Sequence, residues 1–281
     1  MNQEIFIDNL IDLAIAEDIG DGDHSSLACI PPEAKGKMKL LIKQDGILAG
    51  VEIAIRIFKK IDEQLKTTVL LQDGTAVKIG DIAFYVEGAE QSMLRAERIV
   101  LNVMQRMSGI ATQTAIYVNE LSGLKTHVLD TRKTTPGMRI LDKMAVKIGG
   151  GENHRMGLFD MIMLKDNHID FSGGVENAIK KAQDYLKTNN RQIPIEVEVR
   201  SIDDIQTVLR VGGVQRVMFD NFDIPTTREA VKLINGIYET ESSGGITLEN
   251  LRAYAECGVD YISVGALTHQ IKSLDMSLKA V

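Results

Sequence analysis

Three short stretches of this chain gather the side chains best suited to hold negatively charged ligands. The first is Asp130-Thr131-Arg132-Lys133-Thr134-Thr135-Pro136-Gly137, the second Gly149-Gly150-Gly151-Glu152-Asn153-His154-Arg155, and the third Leu164-Lys165-Asp166-Asn167-His168. Each follows a strand-like run or a glycine turn, from which loops can deliver polar groups into one pocket. Between Arg132 and His168 stand seven Lys or Arg against four Asp or Glu, whereas the 281-residue chain has a formal charge of −7. A locally basic loop system on an acidic protein suits small polyanions, because fixed cations focus such ligands even where the global field repels them.

Each candidate has a plain structural reading beside the chemical one. Arg132 offers a planar fork and Lys133 a compact point charge, so the two can serve a carboxylate and a phosphate separately or form an ordinary solvated pair. The triple glycine before His154 and Arg155 is either an anion clamp of converging donors or a flexible turn beside an ordinary hydrogen-bonded histidine. Lys165 either pairs with a dianionic substrate or, if desolvated, forms a Schiff base. Ile195-Glu196-Val197-Glu198-Val199 alternates with period two, so both glutamates share a face. A strand covered by helices on its outside is apolar there, so both carboxylates are expected to point inward and to need partners. Glu196 is expected to be paired structurally, and Glu198, nearer the strand end, to reach ligand hydroxyls. Asp220 suits a ribose hydroxyl or a hydrated Mg2+. Ser242-Ser243-Gly244-Gly245, ahead of a helix starting near Thr247, and Gly265-Ala266 read as two phosphate-binding loops.

These residues need elements to carry them. Phe6, Ile7, Leu10, Ile11 and Ala14 recur at helical spacing and predict an amphipathic helix over 4–17. Asp45-Gly46, between runs 37–44 and 47–51, predicts a hairpin, and strands at 67–71 and 82–86 complete a small α+β unit. From about residue 90, Met93, Leu94, Ala96, Val100, Leu101, Met104 and Met107 predict a long helix linking two domains. Beyond it, strand-like runs end at residues 129, 164, 199, 219, about 241 and 264, with helical stretches at 137–148, 174–187, 202–210, 226–235 and 248–256 between them. That alternation means a parallel sheet with crossover helices. Polar residues follow nearly every strand, which favours a barrel, where all strand C-termini converge on one mouth, over an open sheet. An eight-stranded barrel would need two strands that the sequence does not show, so the fold expected is α/β: an incomplete, about six-stranded parallel α/β barrel with an N-terminal α+β sandwich domain.

Composition excludes several functions. A net charge of −7 argues against nucleic acid as a partner, since phosphate neutralisation needs a broad basic face. No apolar run approaches the ~18 residues of a membrane span, and the first residues lack the pattern of a signal peptide, so a cytoplasmic address is expected. Cys29 and Cys257 lack metal-ligand spacing and are expected to be reduced thiols in packed surroundings.

Taken in order from residue 17 to residue 269, the chain resembles the quinolinate phosphoribosyltransferase family, also called nicotinate-nucleotide pyrophosphorylase (carboxylating). The resemblance rests on Glu17 through Asp23, Ala96-Glu97-Arg98 with Leu101-Asn102, Ser108 through Thr112, Asp130 through Gly137, Gly149 through Arg155, Leu164 through His168, Glu196-Val197-Glu198, Phe219-Asp220-Asn221, Glu241 through Gly245 and Val264 through His269. Ser25-Ser26 stand where the family often has threonine. The resemblance implies transfer of the phosphoribosyl group of phosphoribosyl pyrophosphate to quinolinate, with decarboxylation, giving nicotinate mononucleotide, pyrophosphate and CO2 on the way to NAD. It implies Mg2+ and a homodimer with shared active sites. It implies a sandwich domain over 1–108, joined by a C-terminal helix 268–281, and a barrel over 109–267. By the same resemblance Arg132, His154, Arg155 and Lys165 surround quinolinate, with Arg98 supplied by the neighbouring subunit. Lys133 serves phosphoribosyl pyrophosphate, Glu198 and Asp220 its ribose hydroxyls or the metal, directly or through water, and Ser243, Gly244, Gly245, Gly265 and Ala266 its 5′-phosphate. Lys133, Lys165, Glu198 and Asp220 are the expected catalytic groups. A Schiff-base lyase acting through Lys165 and a non-catalytic anion binder are the competing readings.

Overall fold

The structure, a computed structural model, describes residues 3–281. In chain order its first elements are α1 (Gln3–Ile19), α2 (His24–Cys29), β1 (Lys35–Ile42), β2 (Gly46–Ile47), α3 (Val51–Ile61), β3 (Lys66–Val69), β4 (Ala76–Val77), β5 (Ile82–Ala89) and α4 (Glu90–Glu120). There follow β6 (His127–Leu129), α5 (Arg139–Ile148), β7 (Ile162–Leu164), α6 (Asp166–Ser172), α7 (Val175–Thr188), β8 (Ile195–Val199) and α8 (Ile202–Val211). The last are β9 (Arg216–Asp220), α9 (Ile224–Ile234), β10 (Glu239–Ser243), α10 (Leu248–Ala255), β11 (Tyr261–Ser263), α11 (Ala266–His269) and β12 (Met276–Ala280). The chain divides into two compact units, one made of the chain through Ala115 with Thr134–Gly150 and Leu267–Val281, the other of Ile116–Lys133 and Gly151–Ala266.

In the first unit β1 pairs antiparallel with β5 and β12, and β3 pairs with β5, giving the order β12-β1-β5-β3. Leu40, Ile42, Phe84 and Val86 are fully buried, and Phe58 of α3 meets Phe84 edge-on at 5.9 Å between ring centroids. Two expectations are corrected here. The hairpin at Asp45-Gly46 does not form, because β2 pairs with β4 rather than with β1. Gly50 adopts φ +98°, and the chain then enters α3, where Val51, Ile53, Ala54, Ile57 and Phe58 are buried at helical spacing. The segment expected as a C-terminal helix over 268–281 holds only the end of the four-residue α11 and then β12. Met276 and Leu278 are buried with period two, and Leu278 pairs with Leu40, so sheet pairing rather than helical burial satisfies this segment.

The second unit is a six-stranded parallel sheet in the order β6-β11-β10-β9-β8-β7, with α7 through α10 among its crossovers. Its strands end within two residues of the positions read from the sequence; α6, directly after Lys165, was not foreseen. Among the described residues no ladder joins β6 to β7, so the barrel is incomplete. Glu152 bridges Leu129 in parallel instead, donating its N–H to Val128 O at 2.8 Å, while Glu152 O accepts from Asp130 N at 3.1 Å. The polar segment leading to His154 and Arg155 therefore lies along the open edge of β6. Alternation on β8 and β9 turns Val197, Val199, Val217 and Phe219 to one face and Glu196, Glu198 and Met218 to the other, all of them buried. Among the described residues no helix is long and apolar enough to cross a membrane.

Candidate active site

At the C-terminal ends of the barrel strands lies a cavity of about 140 Å³ whose lining includes Arg132, Lys133, His154, Arg155, Lys165, Ser243 and Ser263. Three separate loops supply the cations: the one after β6, the segment on the edge of β6, and the end of β7. Parallel strands make this convergence unavoidable, since every strand C-terminus opens on the same face. A larger cavity of about 700 Å³ sits at the other strand ends, among Pro194, Val214, Tyr238 and Asp260. Its lining cation, Arg216, is already held by Glu239 at 2.9 Å and Glu241 at 3.0 Å, so size does not make it the anion site.

Arg155 is buried to 8% exposure, and its Nη1 donates to Met161 O at 3.2 Å. Burial, and next the charge of nearby Arg132, lower its pKa. The Arg132 charge opposes that of Arg155, and the charges of Glu196 and Asp160 offset part of the repulsion. Lys133 is exposed, and its N–H donates to Thr131 Oγ1 at 3.0 Å, which tightens the turn that presents it. Lys165 Nζ lies 3.2 Å from Glu198 Oε2, a partly exposed cation against a buried carboxylate. Its N–H donates to His168 Nδ1 at 3.0 Å, which turns His168 back to close the first turn of α6.

Asp220 stands at the end of β9, in register with Ser243 of β10. Asn221 adopts φ +54°, donates its N–H to Ser243 O at 2.9 Å and its Nδ2 to Asp220 Oδ1 at 2.9 Å. Gly244 then passes so close that a Cβ there would meet Asn221 Oδ1 at 2.2 Å, and its φ is +93°. Only glycine fits that crossing. The loop reaches α10 through Thr247, whose capping box with Asn250 starts the helix at Leu248.

Beneath the cavity the barrel interior carries a second charged layer. Glu196 and Glu241 have no exposure, and His154 Nε2 is 3.0 Å from Glu196 Oε2 and 3.5 Å from Glu241 Oε2. Arg216 holds Glu241 from the other side, and its guanidinium lies 4.0 Å from the Tyr261 ring centroid. Burial pushes both carboxyls up to about 7, against the pull of Arg216; for Glu241 the neighbouring Glu196 charge adds to the rise. The ligand atoms of His154, Glu196 and Glu241 all lie within 4.8 Å of one another, a group able to hold a divalent metal ion.

Of the residues singled out from the sequence, the cavity unites Arg132, Lys133, His154, Arg155, Lys165 and Ser243, with Glu198 joined through Lys165. Gly244, Gly245, Gly265 and Ala266 do not line it, and Arg98 is exposed on α4 in the first unit. The sequence reading assigned no role to Asp130, Arg216 or Glu241. Asp130 is fully buried and accepts the His154 N–H at 2.9 Å. The alternation of Glu239 and Glu241 in β10 repeats that of Glu196 and Glu198 and could have pointed to Glu241. The thiols divide: Cys257 is buried as expected, whereas Cys29 is exposed.

An incomplete α/β barrel whose mouth brings guanidinium and ammonium groups from separate loops to one cavity defines an enzyme class that handles small polyanions. Comparison narrows the class. The C-terminal domain of quinolinate phosphoribosyl transferase matches residues 110–279, and its N-terminal domain matches residues 23–108. A chloroplastic carboxylating nicotinate-nucleotide pyrophosphorylase of Oryza sativa subsp. japonica is 44% identical over 285 residues, 96% of this chain and 76% of the rice chain. A probable enzyme of the same name from Bacillus subtilis is 42% identical, covering 93% of this chain and 89% of its own. The crystal structure of NadC from Streptococcus pyogenes superposes with a TM-score of 0.92 at 37% identity, covering 98% of this chain and 97% of that one. The chain belongs to the quinolinate phosphoribosyltransferase family.

Proposed function

We propose that the cation-lined barrel mouth is where this chain carries out its family's reaction, and we assign its residues their parts. The protein transfers the phosphoribosyl group of phosphoribosyl pyrophosphate to quinolinate with decarboxylation, giving nicotinate mononucleotide, pyrophosphate and CO2. The observation that carries the site assignment is the meeting of Arg132, Lys133, His154, Arg155 and Lys165 around one cavity with Ser243.

Quinolinate brings two carboxylates, and Arg132, Arg155 and Lys165 offset their charge. Arg132 and Arg155 repel each other in the free site, so a bound carboxylate relieves that repulsion. Lys133 reaches the phosphoribosyl pyrophosphate, whose 5′-phosphate sits on Ser243 and the amides of the Gly244-Gly245 turn. Gly265 and Ala266 complete that grip. Glu198 and Asp220 accept from the ribose hydroxyls. Holding both reactants side by side removes most of the entropic barrier to their encounter.

As the bond from the ribose to pyrophosphate lengthens, the sugar gains oxocarbenium character and negative charge gathers on the departing oxygens, where Lys133 stabilises it. The pyridine nitrogen forms the new bond to the sugar and becomes cationic. When the adjacent carboxylate departs as CO2, the electron pair of the broken C–C bond stays on that ring carbon, stabilised by the neighbouring cationic nitrogen, and takes up a proton from water to give nicotinate mononucleotide. Glu198 and Asp220 are carboxylates at the mouth of the barrel, the hard oxygen donors that Mg2+ selects, and would hold it directly or through water. Held there, Mg2+ would supply positive charge to offset that of the pyrophosphate. The buried His154 group is less suited to it, since an imidazole and two fully buried carboxylates, one already paired with Arg216, are a poor match for a hydrated ion.

The active unit is a homodimer in which exposed Arg98 of one subunit completes the site of the other. Turnover with quinolinate, phosphoribosyl pyrophosphate and Mg2+ is expected to yield nicotinate mononucleotide and CO2 in equal amounts. Arg98→Ala and Arg155→Ala should each lose at least ~10²-fold in rate. Mixing the two should restore part of the activity through hybrid dimers, and no recovery would rule out the shared site. A substrate adduct of Lys165 trapped by borohydride would favour the Schiff-base reading instead.

A further inference from the structure

The reaction scheme gives Glu196, Glu241 and Arg216 beneath the cavity no task, although burying such charge is costly. Its geometry is directional. The Arg155 N–H donates to His154 Nδ1 at 2.7 Å. A ring nitrogen that accepts carries no proton, so the neutral imidazole has its proton on Nε2. Nε2 faces Glu196 Oε2 at 3.0 Å and Glu241 Oε2 at 3.5 Å. Glu241 is held in turn by Arg216 Nη1 at 3.0 Å, and both glutamates are fully buried. The His154 N–H is fixed by Asp130 Oδ1 at 2.9 Å. A run of adjacent charged groups thus leads from Arg216 on β9 through Glu241 on β10 and His154 to the backbone of Arg155, whose side chain lines the cavity; the step from His154 Nε2 to the two carboxylates is a close charge contact rather than an aligned hydrogen bond.

We propose that Glu241, together with Glu196, is a positioning residue that selects the Nε2–H tautomer of His154, so that Nδ1 takes the Arg155 N–H and ties the substrate-binding arginine to the barrel strands. The segment carrying Arg155 needs such a tie, because it lies on the open edge of β6 with a single bridge, at Glu152, in place of a strand ladder. The same geometry speaks for a protonated Nε2 facing two carboxylates over a metal-bound one. A metal on Nε2 would need the lone pair there, and an imidazole whose Nδ1 already accepts would have to give up its last proton. The inference rests on the reading of Arg155 as a quinolinate-binding cation, and Arg155→Ala tests that separately. If that variant binds quinolinate normally, the site reading fails whatever the glutamate variants do.

The test is the separation of KM from kcat in Glu241→Gln. Its amide can donate toward Nε2, favouring the other tautomer without leaving a void. The expected result is a quinolinate KM raised on the order of tenfold to a hundredfold, with the KM for phosphoribosyl pyrophosphate within twofold of normal. Glu241→Asp, which keeps the carboxylate, should recover most of the loss. An unchanged quinolinate KM, or equal rises for both reactants that Asp does not rescue, would overturn the proposal. Nitrogen-15 NMR of His154 in the unaltered protein is independent of how any variant folds. It should show Nδ1 unprotonated and Nε2 protonated, and the reverse assignment would overturn the proposal. Titration of the unaltered protein with Mn2+ alone should show no site that Glu241→Gln removes; such a site would make the cluster a metal centre instead.

Discussion

Two charge networks in this protein use the same residue types to opposite ends. In the first unit Arg56 Nη1 and Nε reach Glu4 and Asp8 at 2.6 and 2.8 Å, and Lys60 pairs with Asp12, so that α1 is clasped to α3. Those acids are exposed, and hydrogen bonding from Arg56 holds the Asp8 carboxyl below its usual range. In the barrel Glu196 and Glu241 face His154 and Arg216 without any exposure, and burial drives both carboxyls up. Attraction to a cation acts in both places. In water the ion pair sets the titration; inside the barrel desolvation outweighs the partner. Surface pairs of the first kind are cheap and replaceable, whereas the buried group is retained at a cost, which is expected where charge positions a site.

The sharpest way to break the contrast is to remove one partner from each network. Arg216→Ala leaves the buried Glu241 carboxyl without its paired cation and should destabilise the protein by about 3–5 kcal/mol, read from urea unfolding. The response to pH should differ in sign. The folded pKa of Glu241 is raised from 4.5 to about 7, so its contribution to stability is full below pH 4.5 and is lost as the pH rises through 7. Glu241→Gln should remove that loss, a gain at pH 8 of at most about 3 kcal/mol relative to acid. The contribution of Asp8 is present above its unfolded value of 3.8 and is lost as the pH falls through its depressed folded value. Melting midpoints of Glu241→Gln and Asp8→Asn across pH 3–8 check both directions, and a common sign would erase the comparison. Smallest of all, Arg56→Ala should leave the melting midpoint at neutral pH within experimental error, because exposed ion pairs contribute little.

Much of the barrel was legible in the sequence because its signals are local. The apolar runs of β6 through β11 and the glycine and proline punctuation between them mark strand ends that the structure keeps within two residues. The first unit was less legible for a physical reason. At 47–51 an apolar run reads as a strand, yet the left-handed Gly50 starts α3 there, and the partner of β2 is β4, thirty residues on. The final segment, a helix by the family resemblance alone, is instead β12, because β1 offers it an edge.

The cations of the mouth were visible from residue type and spacing, since loop residues after strands need no knowledge of distant partners to be suspected. The sequence by itself thus determined the alternating architecture and which cations stand after its strands, where the structure brings them to one cavity. Only the tertiary structure decided that Glu241, Arg216 and Asp130 underpin His154 and Arg155. Their pairings cross strands and depend on which side chains the barrel closes away from water, and desolvation is a property of the folded surroundings rather than of any residue's neighbours in the chain.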